Sequence, residues 1–168
     1  MITEFKGEYR FLSNFWIADI VAATLVGYVS FPSNEHIYQS MKALRVEQFK
    51  AIAEASTPGI AKRMGSKKGH TMPDGSLFQI ELRPDWNDLK IGIMTAGTKL
   101  KFDQHPDLRA ALIATHPKVI QEGNWWGDGY WGVDLRTGKG ENNLGKILMN
   151  HRSCYILEAM PVNHNLLV

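Results

Sequence analysis

A helix-rich α+β fold, one domain with a small antiparallel sheet or hairpin, is predicted by three features of this sequence. Residues 17–31 are rich in β-branched and aromatic side chains, the composition of paired strands. Later segments carry apolar residues at offsets of three and four, the period of helices packed along one side. No repeat or low-complexity linker interrupts them, so helices and sheet are expected to share one core.

Taken in order, "IADIVAATLVGYVSF" reads as a hairpin or short meander, broken near Ala22 to Thr24. After Pro32, Ser33 suits a helix N-cap, and Ile37, Met41 and Leu44 follow as an apolar stripe expected to be buried. A second helix is expected over residues 49–55. A third runs from Pro58 to Met64, with proline in its first turn and Gly65 as its C-terminal stop. "GSKKGHTMPDG" reads as a loop. In residues 84–102, Trp86, Leu89, Ile93, Gly97 and Leu100 recur with the spacing of a long helix with one apolar seam. "HPDLRAALIATH" is a shorter helix ending before Pro117, and "KVIQEG" is a short strand candidate. The glycine- and tryptophan-rich "NWWGDGYWG" favours no regular element. "GENNLGKILMNHR" supplies a last helix with Leu144, Ile147, Leu148 and His151 inward.

Composition narrows the functional classes. At 168 residues the chain can bury roughly two thirds of the surface exposed when unfolded. Its net charge of +2 is too mild for a dedicated nucleic-acid binder. The single cysteine, Cys154, excludes an internal disulfide, has no zinc-type neighbourhood and favours a reducing compartment. The N-terminus lacks the apolar core of a signal peptide, and no run approaches the ~18 apolar residues of a membrane span. A soluble, cytoplasmic protein without membrane partners is expected.

Three groups of residues carry candidate chemistry. On the helix after Ser33, the residues Glu35, Tyr38, Gln39 and Lys42 fall at i, i+3, i+4 and i+7, opposite Ile37, Met41 and Leu44. This column is either an ordinary solvated charge pair or an acid, phenol, amide and amine aimed at a ligand. Glu35 lies in the first turn, where the helix dipole favours an ionised carboxylate by ~0.3–1 kcal/mol. In "WGDGYW", Asp128 between two glycines is either a turn residue bonding its own backbone or the polar contact of an aromatic pocket formed by Trp125, Trp126, Tyr130 and Trp131. "RTGKGENNLGK" places Arg136, Lys139 and Lys146 among glycines before a helix, an arrangement that suits a phosphate or is merely a flexible cationic loop. "FLSNFW", with Ser13 and Asn14, is a turn or a polar patch on the same pocket. His36, His105 and His116 show no metal spacing and are expected to be structural; no metal or organic cofactor is expected.

"FLSNFW", "FPSNEHIYQSMKA", "AKRMG", "RPDW" opening a long helix, "LKFDQHPDLRAALIATHPKVIQEG", "WWGDGYWG" and "GKGENNLGKILMNHR" occur in one order. Together they resemble the NADAR family, which includes the bacterial YbiA-like proteins, from about Phe5 to Arg152. The resemblance implies an NADAR-like catalytic domain over residues 1–152 and a C-terminal tail over 153–168. It also implies an N-glycosidase. Family members hydrolyse the ribosyl C1′–N bond of phosphorylated riboflavin-biosynthesis intermediates, and some remove ADP-ribose from guanine. The family's glutamate, its long-helix tryptophan and its "WGDG" aspartate fall on Glu35, Trp86 and Asp128, with its lysine on Lys42.

Cleaving a ribosyl N-glycoside passes through an oxocarbenium-like state and calls for a carboxylate near C1′, a proton or hydrogen bond for the leaving base, and a positioned water. The allocation expected is therefore Glu35 for the ribosyl cation or the water, Asp128 for the base edge, and Trp86 with Trp126 or Trp131 stacked on the base. Asn14, Tyr38 and Gln39 are expected to contact substrate, and Arg10, Lys139 and Lys146 the phosphate. Lys42 pairs with Glu35 or a phosphate, or attacks the opened sugar as a transient Schiff base. The partner expected is a small phosphoribosyl or ADP-ribosyl substrate, with ADP-ribosylated nucleic acid as an alternative. A non-catalytic ADP-ribose or nucleotide-binding module is the competing class. "SNEH" where relatives often carry "TSEH", and the long "DLRTGKGENN" loop, bear on substrate choice more than on reaction type.

Overall fold

The computed structural model describes residues 1–160. Among them are six α-helices, one 3-10 helix and three two-stranded sheets, two antiparallel and one parallel. The α+β class is as expected, with the strands shorter and more dispersed. The residues group into two compact units, one of residues 10–105 and one of residues 1–9 with the chain from 106 onward.

In the unit of residues 10–105, β1 (Ile20–Thr24) pairs antiparallel with β2 (Gly27–Phe31), Ile20 opposite Phe31. The break falls at Leu25 and Val26, not at Ala22 to Thr24. The Thr24 hydroxyl donates to the Gly27 carbonyl and accepts the Val26 N–H, while Gly27 supplies the positive φ of 100° that closes the turn. Helix α1 (Asn34–Ser40) is shorter than expected. Beyond Met41 the chain leaves the helix: Ala43 bridges to Leu82 and the Leu44 N–H donates to the Glu81 carbonyl. Leu44 is consequently 53% exposed rather than part of a buried stripe. Helix α2 spans Val46–Ala53 and α3 spans Pro58–Met64, the latter capped by the Thr57 hydroxyl accepting the Ile60 N–H. The expected loop after it holds the first strand and the turn of a small hairpin, β3 (His70–Thr71) pairing with β4 (Leu77–Phe78) just beyond it. Its turn is held by Asp74, whose carboxylate accepts the Ser76 N–H and hydroxyl. Two-residue strands carry too little alternation to be read from sequence.

Helix α4 (Trp86–Gln104) buries Trp86, Met94, Gly97, Thr98, Lys101 and Phe102. Leu89, Ile93 and Leu100 are only half-buried, so the buried seam is rotated from the one the apolar spacing marks. α1 lies against α2, α3 and α4, and all seven of its residues are buried. Ile37 joins Ile20, Ala22, Phe31, Phe49 and Ala53 in the core. Where α1 meets α4, a Cβ on Gly97 would stand 2.0 Å from Asn34 Oδ1. Gly97→Ala is expected to lower stability by about 1–3 kcal/mol, the usual cost of overpacking. An unchanged urea midpoint would show that Asn34 swings aside freely.

In the other unit, α5 (Pro106–Ala114) packs on α6 (Asn143–Ala159). "KVIQEG" does not form the strand expected of it. Ile120 makes a single bridge to Ile2, and only the segment's last residue enters a strand, β5 (Gly123–Asn124), parallel to β6 (Val133–Asp134). The 3-10 helix, Gly7–Leu12, begins in this unit's residues, and its Arg10 is the first residue of the unit of residues 10–105. Helix α6 runs past Arg152 to Ala159, so the first residues of the expected tail continue a helix. Residues 161–168 of that tail lie outside the described residues.

Candidate active site

Burial of α1 on all sides turns a column that looks solvated in sequence into a set of enclosed polar groups. Glu35 is 5% exposed, and its carboxylate accepts a hydrogen bond from Gln39 Nε2 at 2.7 Å. Its backbone N–H donates to the Asn14 carbonyl at 3.0 Å. Asn14 is itself buried: its Oδ1 accepts from Asn34 Nδ2 at 2.8 Å and its Nδ2 points at the Met94 sulfur, 3.2 Å away. Ser33 occupies the N-cap position without capping the helix. Its hydroxyl instead meets His36 Nδ1 at 2.8 Å, while His36 Nε2 lies 2.9 Å from the Ala55 carbonyl. The carbonyl can only accept, so Nε2 carries the proton and Nδ1 receives the serine's. Burial lowers the pKa of this imidazole, and His36 is structural, as expected.

Lys42 lies past the end of α1, yet its side chain folds back over the helix's aromatic neighbours. Nζ is 5.1 Å from the Tyr38 ring centre and 5.6 Å from that of Trp86, and it donates to the Gly65 carbonyl at 3.3 Å. Tyr38 and Trp86 meet edge to face at 5.0 Å. Burial pushes the Lys42 pKa down to about 8; the negative charge of Glu35 opposes this and the positive charge of Lys62 adds to it. Roughly a tenth of the molecules then carry a neutral amine at pH 7, against a few in ten thousand for an ordinary lysine. Tyr38, Gln39 and Trp86 are thus packed around the acid and the amine, with Trp86 itself only 8% exposed.

The unit holding the "WGDG" segment presents a different arrangement. Asp128 Oδ1 accepts the N–H groups of Tyr130 and Trp131 at 3.1 and 2.9 Å, so the turn that its sequence allowed is formed. Asn124 clasps the same residue, accepting its N–H at 2.9 Å and donating to its carbonyl at 2.7 Å. Gly127 has φ of 83°, a conformation that favours glycine. Trp125 and Trp126 are 55% and 67% exposed, while Trp131 is half-buried edge-on to Tyr130. Arg136 is paired with Asp134 at 2.7 Å and holds that carboxyl below its usual range. Lys139 and Lys146 are exposed in this unit, as Arg10 is in the other. Among the described residues no group of three His, Cys, Asp or Glu converges as a metal site, and no helix is long and apolar enough to cross a membrane.

Several supporting residues carry no sequence signal of their part in the site. Asn34, Lys62 and Gly65 acquire their roles only when α1, α3 and α4 come together. Lys101 is the extreme case: a lysine 1% exposed, donating to the carbonyls of Phe11 and Ser13 and thereby fastening the segment that carries Asn14. Burial pushes its pKa down from 10.5 to about 7. The folded chain therefore binds fewer protons than the unfolded chain between those values, and stability is expected to rise as pH climbs through this window. Lys101→Met should flatten that rise in urea unfolding followed at pH 6.5 and 9. An undiminished slope would place its origin elsewhere.

The family model of the NADAR domain matches residues 3–154. The chain belongs to the NADAR family. Among curated relatives, N-glycosidase YbiA of Escherichia coli is 35% identical over 129 residues, covering 77% of this chain and 73% of that protein. The maize chloroplastic riboflavin biosynthesis protein PYRR is 32% identical over 146 residues, which is 81% of this chain but 21% of PYRR. The NMR structure of E. coli YbiA superposes with a TM-score of 0.74 at 31% identity, covering 98% of this chain and 91% of the other. The α+β fold is therefore that of the solved YbiA structure.

Proposed function

We propose that this NADAR protein is an N-glycosidase that hydrolyses a ribosyl C1′–N bond, with phosphorylated riboflavin-biosynthesis intermediates as its favoured substrates and ADP-ribosylated guanine as the alternative. The observation that carries this reading is the enclosed carboxylate of Glu35 electrostatically coupled to the Lys42 amine, which burial tunes to about 8. A protein that only binds a nucleotide does not need an acid and an amine enclosed together. A glycosidase uses both: the carboxylate offsets charge growing at C1′ or takes a proton from the attacking water. Water then supplies hydroxyl to C1′, and the base departs with the nitrogen and a proton. The curated relatives named as an N-glycosidase and as riboflavin biosynthesis proteins support this chemistry and substrate class.

Lys42 fits either of two roles. Its ammonium can support the charge of Glu35 or a phosphate, or its neutral amine can attack C1′ of the opened sugar, releasing the base and leaving an imine that water hydrolyses. By their places in the family's motifs, Asp128 and Trp86 are assigned to the base; either Trp126 or Trp131 is the second ring stacked on it, and Asn14, Tyr38 and Gln39 contact or orient substrate. Arg10, Lys139 and Lys146 are assigned to phosphate, and the reaction to the cytoplasm. The test is to incubate purified protein with the phosphorylated riboflavin intermediates, with NAD⁺ and with a guanine-ADP-ribosylated oligonucleotide, following free ribose 5-phosphate or ADP-ribose. Release from the first class supports the favoured reading and release from the oligonucleotide the alternative. Micromolar binding with no release from any of them would show a binding module instead.

A further inference from the structure

Gly65, the residue that ends α3, touches Lys42 and the Gln39 side chain that holds Glu35. Its carbonyl accepts the Lys42 Nζ hydrogen bond at 3.3 Å. Its Cα faces Gln39 so closely that an added Cβ would stand 2.1 Å from Gln39 Oε1 and 3.1 Å from Gln39 Cβ. Gln39 is 4% exposed; its Nε2 holds Glu35 at 2.7 Å, and its Oε1, buried, has no hydrogen-bond partner. The backbone at Gly65, φ −79° and ψ 6°, is open to any residue. This glycine is not the left-handed stop common at helix ends. What requires glycine is the space occupied by the Gln39 amide.

We propose that Gly65 is a positioning residue that sets the Glu35 carboxylate against the Lys42 amine, holding the first through Gln39 and the second by its own carbonyl. The proposal rests on Glu35 and Lys42 being the reacting pair. A side chain at 65 fits the local φ and ψ but collides with the Gln39 amide and forces it to rotate, which releases Glu35. Gly65→Ala is expected to reduce kcat by about tenfold or more, as small displacements of reacting groups do, with KM within about twofold of wild type. It should also shift whichever limb of the pH–rate profile Lys42 sets. In a Gln39→Ala background the same change meets no amide and should cost less than about twofold further, since the two residues act as one unit. Gly59→Ala, where a Cβ meets only ordinary contacts at 3.8 and 3.9 Å, is the control and should leave activity unchanged.

A Gly65→Ala protein that loses thermal stability but keeps kcat, or effects of Gly65→Ala and Gln39→Ala that multiply, would overturn the proposal. If Gly65→Ala alone fails to fold, the double variant with Gln39→Ala should recover the fold; failure of both would overturn it too. An NMR titration of Lys42 in wild type and Gly65→Ala separates this inference from the proposed reaction. A shifted Lys42 midpoint supports the positioning role even in a protein that turns over none of the ribosides, and an unshifted one contradicts it.

Discussion

Glu35→Gln is expected to lower kcat by about 10²-fold or more on whichever riboside the wild type cleaves, while KM changes little. The substitution keeps the size of the side chain and leaves an oxygen to accept the Gln39 Nε2 hydrogen bond seen at 2.7 Å. It therefore removes the negative charge without removing the local packing. A carboxylate that stabilises an oxocarbenium-like state acts mainly after the substrate is bound, which is why the loss should appear in kcat. Steady-state kinetics beside a thermal melt of both proteins checks this. A mutant with unchanged kcat would take Glu35 out of the chemistry and leave it as a buried helix residue.

The second large effect is on pH dependence and separates the two roles of Lys42. Burial holds this amine near pKa 8 instead of 10.5. If the neutral amine attacks the sugar, kcat should rise about tenfold per pH unit below 8 and level off above it. The imine should then be trapped on Lys42 by borohydride. If the ammonium is what matters, kcat should fall above pH 8 and no adduct should form. In either case Lys42→Met should abolish the limb, and a profile unchanged by that substitution would show that another group titrates. For stability the sign is that of Lys101: a lysine whose folded pKa is depressed penalises the fold below that pKa and ceases to do so as pH rises towards 10.5.

Much of the scaffold was legible in the sequence, because the elements in question announce themselves locally. Pro58 at the first turn and the long 3-4 spacing after Pro84 mark α3 and α4, and the β-branched run before Phe31 marks the hairpin. Helix α1 was legible as a helix but not as a buried one. Glu35, Tyr38, Gln39 and Lys42 have the composition of a solvated face, and only the packing of α2, α3 and α4 around them encloses it. Leu44 shows the same limit in reverse: its spacing suits a core stripe, yet the chain has left the helix before reaching it. Asp128 between glycines was readable as a turn because Asp-Gly encodes a local hydrogen bond, and its Oδ1 makes two such bonds. Gly65 and Gly97 were not legible in these roles, since what they accommodate is a side chain from another element.

The central claim is that this NADAR protein breaks a ribosyl C1′–N bond with Glu35 as the charge that assists it. Mass analysis of the products formed by wild type and Glu35→Gln from one phosphorylated ribosylamine intermediate tests it most directly. The predicted result is free base and ribose 5-phosphate in equal amounts from the wild type, with the intermediate left largely intact by the mutant. An intermediate recovered whole after prolonged incubation with folded wild-type protein, or cleaved at any bond other than C1′–N, would contradict it.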